Sequence, residues 1–417
     1  MKRVLSLVCA FVLMLSAATV CFADEGKAGE ERSAAEALAE ALAQREKKPE
    51  DETYEVFLPQ ELDATSLILA EITTGTVLME YNADERLYPA SVTKIMTMLL
   101  VMRALESGKI SLEDTVAATA NACSKGGSQI WLEEGETMTV RELLLATAVG
   151  SANDAATLLG EHVAGSEEAF VDMMNACAEE LGMVNTHFDN ATGLDDTSET
   201  HLTTARDIAL MSCELMKYSE IENFTTVWMD TLRNGETELV NTNKLVRFYT
   251  GTTGIKTGTT NKAGHCVSAS ARRDGLHLVA VIMGSENATQ RFEAAKACLN
   301  WGFANYTLYT PQIDASLLTP AQILYGESAS LAPVTENAAP ILVEKGKTGE
   351  IEMNIEAVES MEAPVEEGQS MGRIVFSING EQIAEYKLAA PCAVGRITVR
   401  TVLRRILNFM ASGEISE

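Results

Sequence analysis

The chain has 417 residues, with 32 Lys and Arg against 60 Asp and Glu, a formal net charge of -28 and a pI near 4.6. That balance excludes general attraction to nucleic acid or to an anionic membrane, so any such contact must come from a local basic patch. Hydrophobic residues make up 46% of the chain, enough for a larger and a smaller domain once a leader is removed.

Residues 1–23 read as a signal peptide: Lys2 and Arg3 give a positive start, 4–15 an apolar core, and Cys21-Phe22-Ala23 a cleavage site before Asp24. An export signal frames the cysteines. Of eight, Cys9 and Cys21 leave with the leader, and the six others are scattered without a C-x-x-C pair or zinc-ligand spacing. A chain of this length folds without disulfides, so most read as small buried hydrophobes. No metal or other cofactor is expected, because the five histidines also lack metal spacing. Residues 24–60 form an acidic spacer rich in Ala and Glu. Its apolar positions are nearly all alanine, which leaves little to bury.

Two short apolar runs, 66–72 and 76–81, flank Thr73-Thr74-Gly75 and predict a β-hairpin. Pro89-Ala90-Ser91-Val92-Thr93-Lys94 then opens a helical run through 105. Residues three apart share a helix face, so the Lys94 amine can reach the Ser91 hydroxyl. Serine is a weak nucleophile until a base takes its proton, and a lysine kept neutral by burial or nearby positive charge is such a base.

Further along, Gly126-Gly127 marks a turn and 140–149 a helix, which leads into Gly150-Ser151-Ala152-Asn153-Asp154. A helix is predicted over 167–181, stopped by Gly182. Residues 190–196 form a loop, and 203–207 open another helix, with His201 structural in front of it. Next come Ile255-Lys256-Thr257-Gly258-Thr259-Thr260, and then two alternating runs, 264–272 and 276–283, joined by Arg273-Asp274-Gly275, a strong hairpin signal. A helix over 288–306 follows. Strands, then helices, then strands argue an α+β domain with an antiparallel sheet and a helical insert.

From about Pro311 the texture changes to short strand-like runs between Gly-, Pro- and Glu-rich turns, which predicts a small all-β domain. In the tail, Val399, Val402, Leu403, Ile406, Leu407 and Met410 fall on one helical face. Arg396, Arg400, Arg404 and Arg405 supply positive charge, the pattern of a helix that lies on a membrane surface.

Ser-x-x-Lys, then Ser-x-Asn about 60 residues on, then Lys-Thr-Gly about 100 further, is the triple signature of penicillin-binding proteins and serine β-lactamases. With Pro89-Ala90, the 190–195 loop, His201 through Asp207 and the stretch 254–264, the sequence resembles the low-molecular-mass D-alanyl-D-alanine carboxypeptidases of the penicillin-binding protein superfamily. The resemblance implies a β-lactamase/transpeptidase-like catalytic domain. It would have a five-stranded antiparallel sheet flanked by helices and a helical subdomain, with the site between sheet and subdomain. The expected division is signal peptide 1–23, spacer 24–60, catalytic domain 61–308, all-β domain 309–394 and amphipathic membrane anchor 395–417.

It also implies roles. Ser91 would be the nucleophile, Lys94 the general base, and Ser151 the proton relay linking Lys94 with Lys256. Asn153 would orient Lys94 and the substrate amide, and Lys256 with Thr257 would hold the terminal carboxylate. The N–H groups of Ser91 and Thr259 would form the oxyanion hole, and Gly258 would let substrate lie close to the strand. The expected partners are a peptidoglycan stem pentapeptide ending in D-Ala-D-Ala, β-lactam antibiotics, and the outer face of the cytoplasmic membrane, with no nucleic acid. Two other readings are a serine β-lactamase and a non-catalytic penicillin-binding sensor or wall protein. Against the first, Ala152 stands where the common β-lactamase class usually has Asp, and residues 190–196 offer no Glu-Asn pair for deacylation. Against the second, no motif residue is substituted.

Overall fold

The computed structural model describes residues 61–195, 198–335 and 338–412. The expected leader and the whole of the spacer lie outside the described residues, as do Asp196 in the predicted loop and the last five residues of the tail. Strands β1 (Ser66–Glu71) and β2 (Val77–Tyr81) form the first hairpin. Helices α1 (Lys94–Glu106), α2 (Val140–Leu145), α3 (Asn153–Ala164), α4 (Glu167–Glu180) and α5 (Ala205–Leu215) follow. A small hairpin comes next, β3 (Met229–Leu232) with β4 (Thr237–Val240). The chain then returns to the main sheet as β5 (Thr252–Thr260), β6 (Gly264–Arg273) and β7 (Leu276–Ser285), and crosses it with α6 (Gln290–Asn305).

The five main strands pair antiparallel in the order β2-β1-β7-β6-β5. At the β6–β7 turn, Asp274 (φ 49°) and Gly275 (φ 85°) are both left-handed, the geometry that an Asp-Gly hairpin turn requires.

Both faces of the sheet are covered. Ile68 and Ala70 of β1, with Val279, Val281 and Met283 of β7, join the core of the helical side. Their neighbours Leu67, Leu69, Leu278, Ala280 and Ile282 join Phe292, Leu299 and Phe303 of α6 in a second core. Strand side chains alternate between faces, so a sheet buried twice needs apolar residues at consecutive positions, and β7 has them from Leu278 to Met283. α1 lies inside the helical core, with ten of its thirteen residues buried, Lys94 among them. That placement explains why its apolar residues run around the helix rather than along one stripe.

After α6 come β8 (Tyr306–Tyr309), β9 (Ile341–Glu344), β10 (Ile351–Ala357), β11 (Ser370–Ile378) and β12 (Glu381–Ala389). β12, β11 and β10 are neighbours in a four-stranded antiparallel sheet, and β8 pairs with β9. Ile341, Val343, Ile374, Phe376 and Leu388 form the core of this all-β part. The last helix, α7 (Val399–Ser412), has the expected stripe exposed: Val399, Val402, Leu403, Ile406, Leu407 and Met410 all face outward. Thr401, by contrast, is buried and donates to Glu327 Oε1 at 2.9 Å. No helix among the described residues is long and apolar enough to cross a membrane. All six described cysteines are free thiols. Cys177, Cys266 and Cys298 are buried, Cys123 and Cys213 half-buried, and Cys392 exposed.

Candidate active site

Ser91 sits in a single 3₁₀ turn, Ala90–Thr93, directly before α1. The sequence predicts one helix from this point, and the structure divides it into the tight turn and the α-helix. The turn brings Ser91 Oγ to 3.0 Å from Lys94 Nζ. Lys94 Nζ has two further partners, Asn153 Oδ1 at 2.6 Å and the Thr192 carbonyl at 2.9 Å. A neutral amine has two N–H donors and one lone pair. The Thr192 carbonyl and Asn153 Oδ1 only accept, so they take the two N–H groups and leave the lone pair for the Ser91 hydroxyl.

Electrostatics favour that neutral form. Burial holds the Lys94 amine well below the usual lysine range, and the positive charge of Lys256 adds to the effect, while Asp154 opposes it. Lys256 is also buried, and burial followed by the nearby Arg291 guanidinium lowers it to about 7. A Lys256 charge in the same dry site thus disfavours protonation of Lys94.

Asn153 is fixed from the side of the Gly126–Ser128 loop. Its Nδ2 donates to the Gly126 carbonyl at 2.6 Å and its backbone N–H to the Ser128 carbonyl at 2.7 Å. The helix predicted over 140–149 is α2 followed by a π-turn, Ala146–Gly150, which ends with Ser151 in the left-handed region (φ 60°, ψ 28°). π-turns occur disproportionately at functional sites. Ser151 is buried, and among the described residues no hydrogen bond joins its hydroxyl to Lys94 or Lys256.

The 190–195 loop supplies the other carbonyl partner of Lys94. Asn190 Oδ1 accepts from the Thr192 and Gly193 N–H groups at 3.0 and 2.7 Å, which folds the loop so that the Thr192 carbonyl meets Lys94. Gly193 (φ 84°) lies so close to the Ser91 turn that a Cβ there would fall 1.8 Å from the Ala90 carbonyl oxygen. His201 braces the same turn. Its Nδ1 accepts from the Asp189 N–H at 3.0 Å, so Nε2 carries the proton and donates to Thr93 Oγ1 at 2.8 Å. Burial lowers His201 to about 4, so it stays neutral at ordinary pH.

β5 forms the opposite wall. A Cβ on Gly258 would come within 2.7 Å of the Pro89 carbonyl and 3.0 Å of the Ser91 backbone nitrogen. Glycine there lets the strand run against the turn that carries Ser91. Thr257 Oγ1 donates to Thr242 Oγ1 at 2.7 Å, and Thr259 Oγ1 to the Gly258 carbonyl at 2.7 Å. Arg291 of α6 supports the strand from behind, through the Gly258 carbonyl at 2.9 Å, Thr259 Oγ1 at 3.0 Å and the Cys266 carbonyl at 3.1 Å.

The structure therefore brings together Ser91, Lys94 and Asn153 by direct hydrogen bonds and sets β5 against the Ser91 turn. Sequence reasoning missed the Thr192 carbonyl, Arg291, Thr242 and Asp154. The first acts through its backbone, which no side-chain pattern reveals. Asp154 stands beside Asn153 in the motif, but its burial is not visible in the sequence.

A family model described as D-alanyl-D-alanine carboxypeptidase matches residues 52–287, and one described as penicillin-binding protein 5, C-terminal domain, matches 310–396. The chain is 39% identical to the Bacillus subtilis D-alanyl-D-alanine carboxypeptidase DacF over 83% of its own length and 90% of that protein. It is 33% identical to the Escherichia coli D-alanyl-D-alanine carboxypeptidase DacC, over 78% and 83%. Among solved structures, penicillin-binding protein 5 of Haemophilus influenzae superposes with a TM-score of 0.74 at 30% identity, covering 82% of this chain and all of that one. Penicillin-binding protein D2 of Listeria monocytogenes in its ampicillin-bound form gives 0.53 at 30% identity, covering 58% and 98%.

Replacing Lys256 by Met should raise the Lys94 pKa, because it removes a positive charge that disfavours the ammonium. Titration of the Lys94 Nζ by NMR on ¹⁵N-lysine-labelled protein measures it. An unmoved or lowered midpoint contradicts the coupling.

Proposed function

The chain belongs to the D-alanyl-D-alanine carboxypeptidase family, and from that membership we propose how its residues divide the work of a serine-type peptidase that removes the terminal D-Ala from peptidoglycan pentapeptides. The three-partner environment of the Lys94 amine carries the reading: its lone pair is left for the Ser91 hydroxyl. Ser91 attacks the carbonyl of the penultimate D-Ala while its proton passes to Lys94. The Ser91 and Thr259 N–H groups receive the oxyanion, and the close approach of β5 to the Ser91 nitrogen supports that pairing. Ser151 hands a proton to the leaving amine, which departs as free D-Ala. Asn153 holds Lys94 and the substrate amide.

Lys256 and Thr257 bind the terminal carboxylate. With Lys256 at about 7, an arriving carboxylate draws it into the charged form, so the site gains a full ion pair only with substrate in place. A subsite for a free carboxylate one residue from the scissile bond makes the enzyme an exopeptidase. Deacylation then reuses Lys94 and Ser151 to activate water. After a β-lactam reacts, its leaving amine stays tethered and obstructs that water. The one carboxylate in residues 190–195, Asp195, is engaged by Thr260 Oγ1 at 2.5 Å, which favours slow β-lactam turnover over a β-lactamase role.

An export leader and a basic amphipathic tail support a location outside the cytoplasm, with the enzyme against the outer face of the membrane. Thr401 ties α7 to the β domain, while its apolar stripe faces outward between the exposed Arg400 and Arg404. Such a helix buries its apolar face at the headgroup boundary, and each arginine near an anionic surface adds about 1 kcal/mol.

Free D-Ala released from a D-Ala-D-Ala pentapeptide tests the activity. It should be abolished by Ser91→Ala, and penicillin should leave a long-lived adduct on the wild type. Rapid penicillin hydrolysis without D-Ala release would make the protein a β-lactamase. For the anchor, the chain from Asp24 to Val394 should stay in the supernatant with anionic vesicles, and the chain from Asp24 to Glu417 should sediment with them, less so in high salt. Both remaining in the supernatant would exclude α7 as an anchor.

A further inference from the structure

Asp154 follows Asn153 on the first turn of α3 and is 1% exposed, yet none of the roles assigned above uses it. A carboxylate so far from water must be held by hydrogen bonds or by nearby positive charge. Its hydrogen bonds come from backbone. Oδ1 accepts from the Ala155 N–H at 2.9 Å and the Ile130 N–H at 3.2 Å, and Oδ2 from the Ile130 and Leu132 N–H groups at 3.1 Å each. Ile130 and Leu132 flank Trp131, which has φ 59° and is 74% exposed.

A left-handed residue between two others turns alternate N–H groups toward one point and forms a small anion-binding concavity. Tryptophan is an uncommon residue there, and the conformation persists only where its surroundings enforce it. Asp154 enforces it from the inside. Arg233 does so from the outside, donating to the Ile130 carbonyl at 2.8 Å and pairing with Glu136 at 2.6 Å. The held segment continues the loop whose Gly126 and Ser128 carbonyls fix Asn153.

The charges around Asp154 point the same way. Lys94 of α1, Arg233 beside β3 and Cys123 of the short helix before the loop all feel its field. Lys94 itself also faces Lys256 of β5, and His201 from the segment before α5 lies near enough to sense Lys94.

We propose that Asp154 is a positioning residue for acyl transfer: its carboxylate clamps the Ile130–Leu132 turn, which steadies the loop that holds Asn153 against Lys94, and it acts as the buried counter-charge of the Lys94 amine. The proposal rests on the reading of Lys94 as the base for Ser91. The carboxylate thereby keeps Lys94 basic enough to accept the serine proton, against burial and Lys256, which push the other way.

Asp154→Asn keeps the shape and removes the charge. The measurement is the pH profile of the second-order rate at which penicillin acylates the enzyme, per folded active site. With the anion gone the Lys94 ammonium is less favoured, so the acid limb should move down by about half a pH unit or more, and the plateau should fall by about tenfold. Arg233→Gln loosens the same loop without touching Asp154. It should lower the melting temperature and leave the acid limb where it is or move it up. An Asp154→Asn acid limb that coincides with wild type overturns the proposal, whatever happens to the plateau, because a purely structural role would move only stability and rate.

A wild-type measurement stands in if Asp154→Asn does not fold. As Lys94 titrates, the Ile130 and Leu132 amide protons should shift with the same midpoint, because they are bound to the carboxylate whose field the amine feels. Amides that do not respond overturn the proposal as well. Lys94→Ala separates the two levels: full acylation in that variant would refute the reading of Lys94 itself, whereas its loss alongside an unmoved Asp154→Asn limb refutes only the role of Asp154.

Discussion

The structure depends on keeping one amine dry. As the proposed base for Ser91, Lys94 Nζ must be neutral to take the serine proton, and water would keep it charged. Each unit by which a lysine pKa falls withdraws about 1.4 kcal/mol from the ammonium. Here the largest cause is burial, with Lys256 second. Burial follows from the position of α1, a helix enclosed by the sheet on one side and by α3, α4 and α5 on others. A helix on the surface could carry the same Ser-x-x-Lys spacing and remain inert, because its lysine would be an ordinary solvated cation.

A buried amine needs partners, and they fix much of the remaining geometry. Asn153 Oδ1 comes from the start of α3 and the Thr192 carbonyl from the 190–195 loop. Each is held by a second layer: Asn153 by the Gly126 and Ser128 carbonyls, the Thr192 loop by the Asn190 side chain and by the approach of Gly193 to Ala90. His201 and Arg291 brace the Ser91 turn and β5. Preorganisation of this kind keeps the reacting groups in place before substrate arrives, so little rearrangement is left for the reaction itself.

The parts legible in the sequence were those written in side-chain spacing or turn chemistry. Ser91 and Lys94 are three apart and meet. Asp274-Gly275 makes the left-handed turn that joins β6 to β7. The stretch before Asp207 opens α5, with Thr204 as its cap accepting from the Asp207 N–H at 3.0 Å. The apolar stripe of α7 is also where the periodicity puts it. What remained hidden depends on backbone and on burial. The Thr192 carbonyl belongs to a peptide bond that any residue could supply. Gly193 looks like one among 28 glycines until the chain is folded and a Cβ is seen to collide, and Gly258, expected to make room for substrate, is required as well by the approach of the Ser91 turn. The π-turn before Ser151 interrupts a run with uniform helical character. Asp154 reads as a first-turn acidic residue of the sort that any helix favours, and only its three backbone donors and its depth mark it as something else.

The central claim is that Lys94, neutral and held by Asn153 and Thr192, activates Ser91. Single-turnover acylation by penicillin, followed by intact-mass spectrometry, tests it most directly in wild type and in Lys94→Ala. Removing a general base costs at least about 10²-fold, so the account predicts that the wild-type chain acquires one penicilloyl group, mapped to Ser91, while Lys94→Ala acquires it at least a hundredfold more slowly at neutral pH. A Lys94→Ala chain acylated at the wild-type rate, or an adduct on a residue other than Ser91, would contradict it.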